Sequence, residues 1–144
     1  MITVTTDRKI LSVVSSETTM EEIIQLDLVA KLKEACESAW TGGVGLSAIQ
    51  IGIPIRAAWY KWQGKDEILI NPKVVRVVMR PKMVAESCLS IPNRKFAVKR
   101  AIKIKYMNDG KMRTARGLRA QIIQHEIDHM NGILVSDRAE SEVR

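Results

Sequence analysis

The feature that most limits how this chain can fold lies in its last third. From Gly117 to Asn131 the residues follow a helical period, and Gly132 stands where a left-handed helix C-cap would. On that helix Ile123, Ile127 and Met130 form a stripe suited to a core. The same segment holds His125-Glu126-Ile127-Asp128-His129, and these are the only two histidines in the chain. An i, i+4 pair sets two imidazoles about 40° apart and one turn along, so both can reach one tetrahedral ion with a glutamate beside them. A helix that is both core wall and ligand bearer calls for other elements wrapped around it.

Periodicity and punctuation place those elements. From Thr19 to Ala39 the apolar residues Ile23, Ile24, Leu26, Leu28, Val29, Leu32 and Ala35 recur at helical spacing, with Glu21 and Glu22 in the first turn, where the helix dipole favours acids. This predicts one helix, ended by Gly42 and Gly43. Arg56 to Trp62 and Glu67 to Ile70 read as strands parted by Gln63-Gly64-Lys65, and Asn71-Pro72 interrupts before a further strand at Val74 to Val78. Val98 to Tyr106 alternates Ile102, Ile104 and Tyr106 with Lys103 and Lys105, the period of a half-buried strand. Asn108-Asp109-Gly110 then supplies a hairpin turn before Lys111 to Thr114. Strands between an early and a late helix predict an α+β fold, and a chain of 144 residues that is 46% hydrophobic fits one compact domain over 1–144.

Composition narrows the function classes. The net charge is +7, but Lys and Arg are spread along the chain, aromatics are 4% and no nucleic-acid motif appears, so specific nucleic-acid binding is not expected. Two cysteines, Cys36 and Cys88, are too few for a disulfide framework and suit a reducing compartment. No run approaches the roughly 18 apolar residues of a membrane helix. A cytoplasmic protein that does not enter the membrane is expected.

Two histidines do not complete a metal site, and the pattern also arises where the histidines are ordinary surface or core residues. Only 15 residues follow His129, and they contain neither His nor Cys; Glu140 and Glu142 remain possible ligands there but lie in a polar tail. Upstream, Cys88 lies in Glu86-Ser87-Cys88-Leu89-Ser90-Ile91-Pro92, and its thiolate would complete a Cys/His/His site with one position left for water. Taken alone, Cys88 also reads as a small buried hydrophobe, as Cys36 does on the apolar early helix.

Three separated segments resemble, in order, the three motifs of the peptide deformylases: Gly43-Val44-Gly45-Leu46-Ser47-Ala48-Ile49-Gln50, Glu86 to Pro92, and Gln124 to His129 followed by Gly132. Ile70-Asn71-Pro72 and Tyr106 to Gly110 also echo that family, so the resemblance runs from about Gly42 to Leu134. It implies a compact α+β domain with mixed or antiparallel strands around a central metal-binding helix. It also implies removal of the formyl group from N-formyl-methionyl nascent peptides, with release of formate. The metal would be one divalent ion held by Cys88, His125 and His129, Fe²⁺ in the cell and replaceable by Zn²⁺, Ni²⁺ or Co²⁺. Such an ion lowers the pKa of its bound water toward about 7, and Glu126 is the natural general base and acid.

The same resemblance gives the other site residues their roles. The side-chain amide of Gln50 and the backbone N–H of Leu89 would donate to the developing oxyanion. Gly43 and Gly45 would let an extended substrate approach closely, and Val44, Leu118, Ile122 and the stem of His125 would form an apolar methionine pocket. Ser87 would stand beside the substrate channel. Glu86, Arg100 and Asp128 would orient ligands or one another through charge-assisted hydrogen bonds. Structural duties compete with each assignment: a buried amide commonly serves nearby backbone, apolar side chains pack, and a helical Asp is often solvated.

Departures from the family pattern carry expectations of their own. Ser47 and Ser87 stand where the family commonly has alanine and glycine, and Ser87 is expected to narrow the channel or to need an angle glycine takes more easily. Lys95 stands where arginine is frequent, with Arg94 before it. Beyond Leu134 ten residues remain, and the polar stretch 136–144 is expected to be a flexible tail. It leaves no room for the long terminal helix implicated in ribosome docking, so the chain would act in solution or dock on the ribosome by its basic surface. Compact forms of this kind resemble deformylases carried by bacteriophages, which would place it in a host cytoplasm. Rival classes are a general zinc peptidase, which leaves Cys88 and Gln50 without work, and a catalytically idle binding relative.

Overall fold

A computed structural model of the chain describes residues 1–39 and 44–144. In chain order the elements are α1 (Arg8–Leu11), α2 (Met20–Gln25), α3 (Leu28–Glu37), β1 (Gly45–Ser47), a 3₁₀ turn at Ala48–Ile51, β2 (Ala57–Trp62), β3 (Lys65–Ile70), β4 (Lys73–Val77), β5 (Lys82–Cys88), β6 (Ile91–Arg100), β7 (Lys103–Asn108), β8 (Lys111–Arg116), α4 (Gly117–Met130), α5 (Val135–Arg138) and β9 (Ser141–Val143). The strands form three antiparallel sheets in the orders β1-β2-β3, β4-β7-β8 and β5-β6-β9. The architecture is α+β, as expected. Among the described residues no helix is long and apolar enough to cross a membrane.

The first sheet is covered on both faces, which is why Ala57-Ala58-Trp59-Tyr60 is buried without a break. Ala58, Tyr60 and Leu69 meet Ile123, Ile127 and Met130 of α4 on one side. Ala57, Trp59 and Ile70 meet Ile23, Leu32 and Cys36 of the early helices on the other. Successive side chains point to opposite faces, so β2 supplies both cores. Each fully buried Leu or Ile contributes roughly 1.5–3 kcal/mol, so the second layer fixes the sheet on the early helices and the first holds α4 against it. Two-residue hairpins close β2–β3 at Gln63-Gly64 (φ 50° and 77°) and β7–β8 at Asp109-Gly110 (φ 50° and 75°), the left-handed pairs that match strand twist.

Four expectations are corrected. The single helix over Thr19–Ala39 is two: Asp27 adopts φ 51° and ψ 42°, a left-handed conformation Asp tolerates, and α3 starts afresh from it. The strand over Val98–Tyr106 is also two, because the Gln124 side chain occupies the backbone of Ala101. Its Oε1 accepts from Ala101 N–H at 3.0 Å and its Nε2 donates to Ala101 C=O at 2.9 Å.

Residues 136–144 do not form a flexible tail. Val135–Arg138 is helical and β9 pairs with β6 in the register Lys95↔Val143, Phe96↔Glu142 and Ala97↔Ser141. The open edge of β6 supplies backbone partners, and Arg94 grips Glu142 at 2.6 and 3.2 Å. Finally, Ser87 keeps a negative φ, so its position makes no demand for glycine's angles.

Candidate metal centre and its cavity

The β5–β6 hairpin turns through Leu89 and Ser90, and its register shifts between Glu86 and Cys88, around the exposed Ser87. Glu86 and Cys88 are buried. Cys88 Sγ lies 3.4 Å from His129 Nε2, which lies 3.2 Å from His125 Nε2. The three donor atoms all fall within 4.8 Å of one another. Four-coordinate bond lengths of about 2.3 Å to sulfur and 2.05 Å to nitrogen call for S···N and N···N separations of about 3.6 and 3.3 Å. The donor set therefore fits one soft or borderline divalent ion.

Ionisation agrees with that fit. Burial alone would raise the Cys88 thiol, but the imidazoles of His129 and His125 outweigh it and hold the thiol well below its usual range. Burial alone would lower the His125 imidazole, but hydrogen bonds to Cys88 and Glu86 hold it well above its ordinary value. The thiolate form is the one a metal requires, and a cation can take over the role of the protons shared here. Nδ1 of His125 lies 2.9 Å from Glu86 Oε1, which leaves Nε2 for the centre. Nδ1 of His129 is buried with no hydrogen-bond partner among the described residues.

Behind the ligands lies a buried ion network. Arg100 donates Nε and Nη2 to Glu86 at 2.8 Å each and Nη1 to Asp128 at 2.7 Å. Arg100, Glu86 and Asp128, expected from sequence to orient ligands, are thus brought together with His125. Asp128 is not solvated: it is 6% exposed and also takes the fork of Arg138.

Glu126 is 3% exposed, and burial raises its carboxyl more than the neighbouring imidazoles lower it. Ser47 Oγ lies 3.2 Å from Glu126 Oε1 and 3.1 Å from its carbonyl oxygen. A Cβ on Gly45 would stand 2.9 Å from Glu126 Oε2 and 2.9 Å from the Cβ of Tyr60, so glycine there makes room for the carboxylate. Gln50 accepts from Ser47 N–H at 3.0 Å, while its Nε2 donates to Ser90 Oγ at 3.0 Å and lies 3.6 Å from Cys88 Sγ. That amide therefore both serves backbone and borders the thiolate.

A cavity of ≈ 310 Å³ opens over these groups. Val44, Gly45, Gln50, Glu86, Ser87, Cys88, Leu89, Leu118, Ile122, His125 and Glu126 line it, with Val44 and Leu118 more than half exposed at its rim. Gly43 lies outside the described residues. The sequence did not point to Ser90, to the Ser47 hydroxyl or to Arg138. Ser90 sat unremarked beside Cys88, and Ser47 was noted only as a departure. Arg138 fell in the supposed tail.

Comparison with known proteins shows the family. A family model described as polypeptide deformylase matches residues 2–144. The peptide deformylase of Rhizobium meliloti (strain 1021) is 39% identical over 127 residues, covering 81% of this chain and 73% of that protein. That of Mesorhizobium japonicum is 40% identical over 105 residues, covering 66% of this chain but only 60% of its own length. Among solved structures, a peptide deformylase from Synechococcus elongatus in complex with actinonin superimposes with a TM-score of 0.84 at 29% identity, covering 98% of this chain and 79% of that one. The peptide deformylase from Thermotoga maritima gives 0.82 at 27% identity, covering 98% and 97%. By the span of the family match and the likeness of its fold, this chain belongs to the peptide deformylase family.

Proposed function

We propose that this chain is a metal-dependent deformylase, hydrolysing the formyl group from the initiator methionine of nascent polypeptides. The observation that carries the reading is the convergence of Cys88, His125 and His129 beside Glu126 and Gln50 at the wall of a ligand-sized cavity. Cys88, His125 and His129 would hold the ion, and the resemblance favours Fe²⁺ in the cell with Zn²⁺, Ni²⁺ or Co²⁺ as substitutes. When bound, such an ion supplies Lewis acidity, which acidifies water and polarises a carbonyl oxygen.

The chain's own groups do the remaining work. Glu126 takes a proton from the attacking water and returns it to the departing amine as the C–N bond breaks and formate leaves. Burial raises its carboxyl, the direction that favours holding the proton between the two steps. Gln50 Nε2 and the Leu89 N–H face the developing oxyanion, while Glu86, Arg100 and Asp128 hold His125 in orientation. Val44, Leu118 and Ile122 receive the methionine side chain, and Gly45 and Ser87 border the substrate backbone.

The setting is the cytoplasm, with the ribosome as partner. Lys73, Arg76, Lys103, Lys105 and Arg116 share the outer face of the β4-β7-β8 sheet, whose strands contain no acid. Ribosome co-sedimentation that falls with salt is expected, and none at low salt would remove the partner.

The test of the activity is formate release from a formyl-Met peptide by protein loaded anaerobically with Fe²⁺ or with Ni²⁺, beside an unformylated control. Actinonin, with which the Synechococcus relative is complexed, serves as the competing ligand. Formate release blocked by actinonin supports the reading. No formate from folded, metal-replete protein sinks it, and cleavage of the control peptide would put the zinc-peptidase reading first.

A further inference from the structure

A line of charge runs from the surface to the metal centre, and Arg138 is its outermost member. Arg138, closing α5, places Nε and Nη2 on the two carboxylate oxygens of Asp128 at 2.7 and 2.8 Å. Oδ2 of Asp128 also accepts from Arg100 at 2.7 Å. Arg100 in turn grips both oxygens of Glu86 at 2.8 Å, and Glu86 meets His125 Nδ1 at 2.9 Å. The Glu86, Arg100 and Asp128 side chains are 5%, 4% and 9% exposed, whereas that of Arg138 is 44% exposed.

The charge balance gives Arg138 its importance. Glu86 is met by both Arg100 and His125, whereas Asp128 is met by one contact from Arg100 and by the fork of Arg138, so without Arg138 this buried carboxylate keeps a single cationic contact, a costly arrangement. Relief requires Arg100 to move toward Asp128 or water to enter. Either loosens the paired contact by which Arg100 holds Glu86, and Glu86 is what orients His125.

We propose that Arg138 is a positioning residue for the metal centre, acting on His125 through Asp128, Arg100 and Glu86. The proposal rests on the reading of Cys88, His125 and His129 as metal ligands. A contact that merely fastened α5 would leave the properties of the bound ion unchanged.

The experiment is Zn²⁺ affinity by chelator competition, with the Co²⁺ absorption spectrum, for the full chain and for R138A, R138K and R94A. Arg94 is an exposed arginine of β6 bonded to Glu142 of β9, so its removal controls for loss of a surface cation near the C-terminal segment. R138A is expected to raise the Zn²⁺ dissociation constant about 3- to 10-fold, below the roughly 10- to 100-fold typical of residues touching a ligand directly, and to shift the Co²⁺ bands. R138K, which restores the charge without the planar fork, is expected to fall between R138A and the parent. R94A should bind within about twofold of the parent.

Thermal unfolding of the metal-free proteins reports whether each variant folds, and if R138A does not, R138K decides. Variants at Arg138 that bind Zn²⁺ like R94A, with an unaltered Co²⁺ spectrum, overturn this proposal alone. A parent protein that binds no ion overturns it together with the metal-site reading.

Discussion

Replacing Arg100 with methionine removes the one group that grips both Glu86 and Asp128. The side chain is 4% exposed, and methionine keeps much of its length, so the change is one of charge more than of shape. Taking one partner from a buried ion pair costs about 3–5 kcal/mol. Asp128 retains Arg138 and Glu86 retains His125, which places the loss at the lower end, about 3 kcal/mol.

The Glu86 carboxyl adds a pH signature. Burial would raise it, but Arg100 and then His125 bring it from 4.5 down to about 2. That net shift is shared between Arg100 and His125 against burial, so removing Arg100 should undo part of it and let the carboxyl rise. Because the folded value is depressed, this stability is present above pH 4.5 and is lost as pH falls toward 2.

Urea unfolding of chelator-treated protein, followed by tryptophan fluorescence at several pH values, is the assay. With a slope of about 2 kcal/mol/M, the midpoint at pH 7 should drop by about 1.5 M. The gap between parent and variant should narrow below pH 4.5, and adding Glu86→Gln should recover part of it. A loss under about 1 kcal/mol at pH 7, or a gap that does not change with pH, would refute the reasoning.

Other substitutions probe the cavity wall. Gly45→Ala puts a Cβ at 2.9 Å from both Glu126 Oε2 and the Cβ of Tyr60, and 3.1 Å from Trp59 C=O. It should cost about 1–3 kcal/mol by thermal unfolding and lower kcat as the carboxylate is displaced. Ser47→Ala removes the hydroxyl beside Glu126, and kcat should fall about tenfold with KM nearly unchanged, a split read from steady-state kinetics. Gln50→Ala should lower turnover by roughly 10² to 10³ with Zn²⁺ affinity nearly intact, checked by kinetics beside chelator competition.

The parts legible in the sequence are those that local chemistry dictates. The helix bearing His125 and His129 showed through its period and its glycine stop, and the hairpins at Gln63-Gly64 and Asp109-Gly110 through their turn residues. Cys88 could be sought upstream because no His or Cys remained downstream, yet only β5–β6 pairing shows how it reaches α4. What stayed hidden depends on tertiary partners. Asp27 breaks a smooth helical pattern by adopting a left-handed conformation, and Gln124 splits a strand by occupying Ala101. Ser141–Val143 looks like a solvated tail until the open edge of β6 takes it up. Ser47 and Arg138 matter through Glu126 and Asp128, residues 79 and 10 positions away, so neither carries a local signal.

The most direct test of the central claim is a metal titration of chelator-stripped protein, with formate release from a formyl-Met peptide read at each addition of Ni²⁺. No release is expected without metal, recovery should saturate at one ion per chain, and Glu126→Ala should show no recovery even though it still takes up the ion. Formate released by the stripped protein, or Glu126→Ala turning over at the parent's rate, would contradict that claim.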